Sequence, residues 1–208
     1  MNIAVIGSGN IGSMLGTHWA VAGYTVIFGA RDVSNSKASA AALAAGSNAR
    51  VDTITNAIAA AEVVVYAIPG AAMAASLREE GVGLDQKIVI DTTNQFGQPV
   101  MNAITAILAA APTAIVYRTF NSVGFENMAD PMIDGVQADM LYVGPDLAGR
   151  VVIDQLIADC GLRPVYVGDN TQAALVDNLG ALWGALAYGQ KLGRRLAFKV
   201  VTPGSDHR

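Results

Sequence analysis

One cysteine in 208 residues leaves no partner for an internal disulfide. Cys160 sits in Ala158-Asp159-Cys160-Gly161 at a predicted helix end. It reads as a small buried apolar residue in a chain suited to a reducing, cytoplasmic setting. His18 and His207 are the two histidines, and with one cysteine they give no metal-ligand spacing, so no metal is expected. Charge is scarce at 14% and its balance is −4, with a pI near 5.0; a nucleic-acid partner is excluded on that balance. Long apolar runs are also missing. Residues 92–117 carry no charge, but Asn94, Gln95, Gln98, Pro99, Asn102 and Pro112 interrupt them, so no membrane span is expected. The first residues lack a basic segment and already read as a strand, so no signal peptide is expected. Alanine and glycine are plentiful, 52% of the chain is hydrophobic, and mean hydropathy is +0.39. That composition supplies a large core and leaves apolar surface for a second subunit to cover.

The first thirty-two residues organise the rest. Asn2 to Ile6 is an uncharged run of strand formers, followed at once by Gly7-Ser8-Gly9-Asn10-Ile11-Gly12. Ile11, Leu15, His18 and Ala22 then fall on one helical stripe, Gly23 ends the helix, and Tyr24 to Phe28 reads as a second strand. Strand, Gly-x-Gly-x-x-Gly, helix, strand is the order of a dinucleotide-binding unit. Gly7 turns the chain, Gly9 lets a pyrophosphate approach the backbone, and Gly12 permits close packing of the helix. The helix N-terminus offers free N–H groups to the phosphates.

The end of the second strand bears on which dinucleotide is bound. A carboxylate about 20 residues past the glycines usually holds a free ribose 2′-hydroxyl. Here Gly29-Ala30-Arg31-Asp32 puts an arginine first. A guanidinium suits a 2′-phosphate, so NADP is favoured over NAD, with Ser34, Ser36 and Lys37 placed to complete a phosphate pocket. Asp32 either binds a 2′-hydroxyl, which would admit NAD, or opens the following turn.

Further on, residues 37–45 read as a helix, 51–54 as a strand, and 55 onward as another helix. Residues 63–68 form a buried strand, and Ile68 and Pro69 at its end lie on the cofactor side, facing adenosine or pyrophosphate. A helix over 71–79 and a strand over 87–91 follow. Asn94 lies just past that strand, and Asn121 just past the strand read over 114–120. These two amides either bond the nicotinamide or a substrate ring, or cap their loops. Beyond Gly124 a smaller αβ unit follows: strands over 138–144 and 163–168 around a helix from Asp146 to Asp159. A long apolar helix over 172–191, capped by Thr171, comes last, and residues 202–208 read as a disordered tail. The expected fold is α/β, a Rossmann-type doubly wound parallel sheet with a small C-terminal αβ unit and a long final helix. Residues 1–124 form the NADP-binding domain; residues 125–208 contribute to the substrate cleft and to a homodimer interface.

The chemistry available is narrow. There is no Ser/His/Asp set, no Cys/His pair and no Tyr-x-x-x-Lys, and no residue is assigned a catalytic role. Carbonyl reduction usually needs an acid beside the developing alkoxide, whereas hydride transfer to an isoalloxazine or deazaflavin ring lets water supply the proton. The favoured function is therefore an NADP(H)-dependent oxidoreductase with a deazaflavin or flavin acceptor. The alternatives are reduction of a small carbonyl or imine, and a non-enzymatic NADP(H)-sensing domain.

The run from Ile3 to Gly12, then Phe28-Gly29-Ala30-Arg31, Phe120-Asn121-Ser122-Val123-Gly124 and Met128-Ala129-Asp130-Pro131, resembles the NADP oxidoreductases dependent on the deazaflavin coenzyme F420. So do Leu141 to Gly144, Leu162 to Val165, and the closing runs from Gly180 to Trp183 and on to Lys199. The resemblance implies a Rossmann domain sharing a cleft with a small C-terminal domain. It also implies a phosphate loop from Gly7 to Gly12 and a 2′-phosphate site at Arg31, with Ala30 standing where the family often has serine. Coenzyme F420 or a flavin would be the co-substrate.

Overall fold

A computed structural model describes residues 1–34 and 36–203. The elements are β1 (Asn2–Ile6), α1 (Asn10–Val21), β2 (Thr25–Ala30), α2 (Ser36–Ala45), β3 (Ala49–Thr53), α3 (Ile54–Ala60), β4 (Val63–Tyr66), α4 (Met73–Glu80), β5 (Ile88–Asp91), α5 (Ile104–Ala110), β6 (Ile115–Arg118) and α6 (Phe125–Ala129). A two-strand hairpin, β7 (Met132–Ile133) and β8 (Val136–Gln137), leads to β9 (Asp139–Val143), α7 (Gly149–Asp159), β10 (Arg163–Gly168) and α8 (Ala173–Gly184).

Alternation along the strands explains the layers. Ile3 and Val5 of β1, Val26 and Phe28 of β2, and Val63 and Val65 of β4 point to one face, where Trp19 of α1 and Leu156 of α7 cover them. Ala4, Ile6, Ile27 and Val64 point to the other, under Ile58 of α3, Leu77 of α4 and Val176 of α8. Both faces are covered, so the central strands are largely apolar, as a doubly wound sheet requires, while the edge strands β3 and β10 carry charge. The eight strands run β10-β9-β6-β5-β4-β1-β2-β3. β1 lies between β2 and β4, and the crevice at their carboxyl ends is where such sheets take ligands.

Four details differ from the sequence reading. The sheet is mixed: β9 meets β6 antiparallel, at Arg118 and Val143, and β10 pairs parallel to β9. Residues after 124 thus extend the same sheet. The buried stripe of α1 is Gly12, Leu15, Gly16, Trp19 and Ala20, because the two small glycines let Phe28 and the loop carbonyls press against the helix. The final helix is shorter than 172–191. α8 ends at Gly184 and continues as one π-helical turn, Ala185–Gly189. Its entry is capped by Asp169, whose carboxylate accepts from the N–H and hydroxyl of Thr171, so Thr171 is the capped residue. The expectation of disorder over 204–208 lies outside the described residues.

His18 and Cys160 serve packing. His18 Nε2 donates to the Met128 carbonyl at 2.8 Å, tying α1 to α6. Cys160 is fully buried, and burial pushes its thiol well above the ordinary range, which leaves no thiolate.

Candidate functional site

The phosphate loop separates two cavities. Gly7 has φ +111°, and a Cβ there would lie 2.4 Å from the Ala67 carbonyl oxygen. A Cβ on Gly12 would lie 1.8 Å from the Gly7 carbonyl oxygen. Gly12 therefore seats the helix on its own loop as well as on the sheet. A Cβ on Gly9 would meet nothing within 4 Å, and Gly9, the N-cap of α1, brings no side chain to the helix end. The first amides of a 12-residue helix are left facing open space. Ser13 Oγ donates to the Ser8 carbonyl at 3.0 Å and closes the loop. Ser8, Gly9, Asn10 and Ile11 are all at least partly exposed. This backbone fits a pyrophosphate.

On one side is a slot of about 250 Å³. Arg31, Ile54, Ile68 and Pro69 line it, with Ile6 from just before the loop and one face of α4. Arg31 is exposed and makes no hydrogen bond or ion pair among the described residues. Asp32 is already engaged: it accepts from the Ser34 N–H at 2.9 Å and from the Ser34 hydroxyl at 2.7 Å. These bonds hold its carboxyl below the usual range. Asp32 thus opens the turn, and Ser34 points its hydroxyl at a carboxylate. Ser36 and Lys37 begin α2, exposed, and Ala30 ends β2, half-buried; none of the three is among the described residues lining the slot.

On the other side is a cavity of about 450 Å³. Ile11, Asn94 and Asn121 form its floor, and Phe96, Phe125, Trp183, Tyr188 and Arg194 its walls. Both predicted amides are here. Phe120, which follows β6, has φ +58°, a left-handed turn that is strained for a bulky residue and swings Asn121 under the cavity. Thr119 Oγ1, Asn121 Oδ1 and Ser122 Oγ are buried there without a hydrogen-bond partner among the described residues. Such orphaned buried polar atoms are uncommon, and each leaves a bond that a further group could make. Gly180 lets α8 approach closely, since a Cβ there would lie 2.9 Å from the Asn121 carbonyl oxygen.

A buried ionic cluster fixes this floor. Arg118 is wholly buried at the end of β6. Its guanidinium meets Asp177 of α8 at 2.8 Å and Asp91 of β5 at 3.6 Å, bonds the Thr93 carbonyl, and donates to Asn94 Oδ1 at 2.7 Å. With Oδ1 so engaged, the Asn94 Nδ2 donates to the Asn121 carbonyl at 3.3 Å and lies at the cavity floor. Asp91 also accepts from the Thr93 and Ala103 N–H groups, which leaves neither charge unpaired.

The outer wall comes from the C-terminal segment. Arg194 forks onto Glu126 at 2.5 and 3.0 Å, bonds the Tyr188 hydroxyl, and lies over the rings of Phe125, Trp183 and Tyr188. The Arg194 hydrogen bonds hold the Glu126 carboxyl below its usual range. Asn127, fully buried, donates to the carbonyls of Arg194 and Leu196, and the Trp183 indole N–H donates to Leu196 at 2.7 Å. The segment around Arg194 to Leu196 is thereby strapped down, with Arg194 at the cavity. Arg118, Asp177, Trp183, Tyr188 and Arg194 were given no site role from the sequence. Lone charges in apolar segments, Arg118 in β6 and Asp177 in α8, were the available signal for the first two.

Strand, glycine loop, helix and a crevice at the strand ends define a dinucleotide-binding protein of Rossmann type. Residues 2–95 match the family described as NADP oxidoreductase, coenzyme F420-dependent. By that match the chain is an NADP-dependent oxidoreductase with NADP(H) as its cofactor. No protein of curated function matches the chain in sequence. Among solved structures, it is similar to a protein of Arthrobacter sp. FB24 provisionally named an F420-dependent NADP-reductase. That match has 25% identity and a TM-score of 0.83, and covers 97% of this chain and 100% of the other. It also shares its fold with a reductive aminase of Aspergillus terreus solved with NADPH and ethyl-5-oxohexanoate. There the identity is 24% and the TM-score 0.68, with 89% of this chain and 62% of the other covered. An imine reductase of Streptomyces aurantiacus is alike at 22% identity and TM-score 0.68, covering 92% of this chain and 65% of that one. Among the described residues, no helix is long and apolar enough to cross a membrane.

Proposed function

We propose that the protein transfers hydride between NADP(H) and a flat ring acceptor of the deazaflavin or flavin type. The observation that carries this is the cavity beyond Ile11: aromatic side chains wall it, and Asn94 and Asn121 floor it at the strand ends. When bound, NADPH supplies a hydride from its nicotinamide; the chain's own residues position and exclude. Gly7 to Gly12, with Ser8, Asn10 and Ile11 between, hold the pyrophosphate on the open end of α1. Arg31 receives the 2′-phosphate, with Ser34, Ser36 and Lys37 nearby, and Ile68 and Pro69 wall the adenosine. Arg118 orients Asn94 so that its N–H group faces the nicotinamide side, and Asn121 lies next to it. Phe125, Trp183 and Tyr188 offer flat surfaces against which a ring can stack while water is excluded. Residues 1–124 hold the cofactor, and residues 125–203 shape the acceptor side.

The test is oxidation of NADPH, followed by its absorbance, with coenzyme F420, FMN, FAD and ferric chelates offered in parallel. Fast turnover with one ring acceptor supports the reading. NADPH binding without turnover on any of them overturns it.

One observation favours a second reading, reduction of a small carbonyl or imine. The Tyr188 hydroxyl accepts from Arg194, so its own proton is free to be donated within the cavity. Turnover of simple ketones that Tyr188→Phe abolishes would establish it.

A second copy of the chain covers the outer face of α8 in this proposal. Leu175 and Leu182 of α8, and Leu192 just beyond the π-helical turn, are 55%, 48% and 62% exposed. Sedimentation of wild type and Leu182→Glu tests this: a dimer should become a monomer, and a wild-type monomer at micromolar concentration refutes it. The single, buried cysteine accords with a cytoplasmic location.

A further inference from the structure

The slot beside Arg31 has a polar end that neither the phosphate nor the ribose explains. Ala72, Ala75, Ser76, Glu79 and Glu80 line it, all from α4 and the turn before it. Their spacing of three and four residues puts them on one helical face. Met73 and Leu77, on the opposite side, are buried in the core and hold that face in place. Since β1 lies between β2 and β4, Arg31 reaches the slot from one side and α4 walls it from the other. The two alanines make a flat apolar floor facing Ile54, Ile68 and Pro69. The floor ends in hydrogen-bonding groups of one kind. Ser76 Oγ donates its proton to Glu80 Oε2 at 3.0 Å, so it presents only lone pairs to the slot. The Glu79 carboxylate makes no hydrogen bond or ion pair among the described residues. The same two carboxylates also border a smaller hollow of about 160 Å³ behind α4.

We propose that Glu79 and Glu80 read the six-position of the cofactor's base and select adenine by its exocyclic amine. An apolar slot of this size accepts a planar base, and an end built only of acceptors bonds a donor there. A base carrying a carbonyl at that position, such as hypoxanthine, meets the carboxylates there with its own lone pairs and keeps a donor only at the neighbouring N1, displaced from the six-position. A site that hydrogen-bonds one partner discriminates steeply against an analogue that cannot reciprocate. The assignment rests on the slot being the adenosine end of the NADP(H) site.

The test measures binding, by the fluorescence of the reduced nicotinamide, for NADPH, NADH and the reduced hypoxanthine analogue of NADPH. Wild-type protein should bind NADPH about tenfold more tightly than the hypoxanthine analogue, in line with a partly solvated charge-assisted hydrogen bond. The double variant Glu79→Gln with Glu80→Gln keeps the shape but adds donors, and should bring the two within about twofold. Arg31→Ala should lose the preference for NADPH over NADH and keep the preference for adenine. Equal binding of NADPH and the hypoxanthine analogue by the wild type would overturn the assignment of Glu79 and Glu80. An unchanged preference in the double variant would do the same. Failure to bind either NADPH or NADH would instead refute the NADP(H) reading itself, so the two failures are distinct.

Discussion

Replacing Asp177 with alanine tests how the floor of the ring cavity is held. Its carboxylate accepts from Arg118 Nε at 2.9 Å and pairs with the terminal nitrogen at 2.8 Å, and it accepts from Asn102 at 2.7 Å. Removing one partner of a buried ion pair costs about 3–5 kcal/mol, because a charge is left without its counter-charge. Arg118 keeps Asp91 at 3.6 Å and two backbone carbonyls, so the cost falls at the lower end, about 3 kcal/mol. In a chain of this size that lowers Tm by roughly 6–12 °C. Asp177→Asn retains an oxygen acceptor toward Arg118 and should cost only about 1 kcal/mol. Urea unfolding followed by circular dichroism gives both values. If Asp177→Ala lies within 1 kcal/mol of wild type, the cluster does not hold α8 to the strand ends in the way described. The same variant loosens Arg118, and with it the orientation of Asn94, so NADPH affinity should fall several-fold at temperatures where the protein is still folded.

Three further outcomes are expected. Arg31→Ala should weaken NADPH by about thirtyfold and NADH by less than twofold, as titrated by nicotinamide fluorescence, because paired charged hydrogen bonds are worth about 2 kcal/mol; equal losses would refute the 2′-phosphate role. Gly9→Ala should leave Tm unchanged, since a Cβ there meets nothing within 4 Å, yet weaken NADPH at least tenfold by occupying the phosphate space; Gly7→Ala, at φ +111° and facing the Ala67 carbonyl, should lower both. Acid should loosen the C-terminal segment. Glu126 is held low by Arg194. Asp139 is pulled up by burial, but Arg163, the Val200 N–H and Lys199 outweigh that and leave it lowered. Carboxyls lowered on folding contribute stability that is complete above about pH 4 and disappears as pH falls through their folded values. Thermal melts between pH 7 and pH 3 should show this loss, and Glu126→Gln should flatten part of it; an identical slope in the variant would contradict the assignment.

The cofactor half of this protein was legible because its signals are local. The strand, the glycines and the helix lie within residues 2–21, and Gly7 and Gly12 sit where a backbone constraint demands them, while Gly9 leaves open space. The place of Arg31 at the end of β2, beside the slot, was legible for the same reason. The ring cavity was not, because Ile11, Asn121, Trp183 and Arg194 meet only through the fold. Asp177 sits in a helix that otherwise reads as apolar, and no periodicity links it to Arg118 in a strand of another unit. The direction of β9 was equally hidden, since an apolar strand looks the same whichever way it runs. The end of the last helix was missed because its π turn has the composition of the helix before it. Asn94 and Asn121 were picked out, but what fixes Asn94, the guanidinium of Arg118, came only with the structure.

The strap that walls the ring cavity has a consequence for how the molecule is made. Its contacts join Arg194 to Glu126 and bring it to a cavity shared with Ile11, near the other end of the chain. Chains are synthesised from the N-terminus and begin to fold as they emerge. The phosphate loop and its first strands are synthesised early, whereas the aromatic-walled cavity exists only after residue 194 has left the ribosome. The phosphate loop therefore leaves the ribosome well before the wall of that cavity, and cofactor bound to the completed fold favours it by mass action.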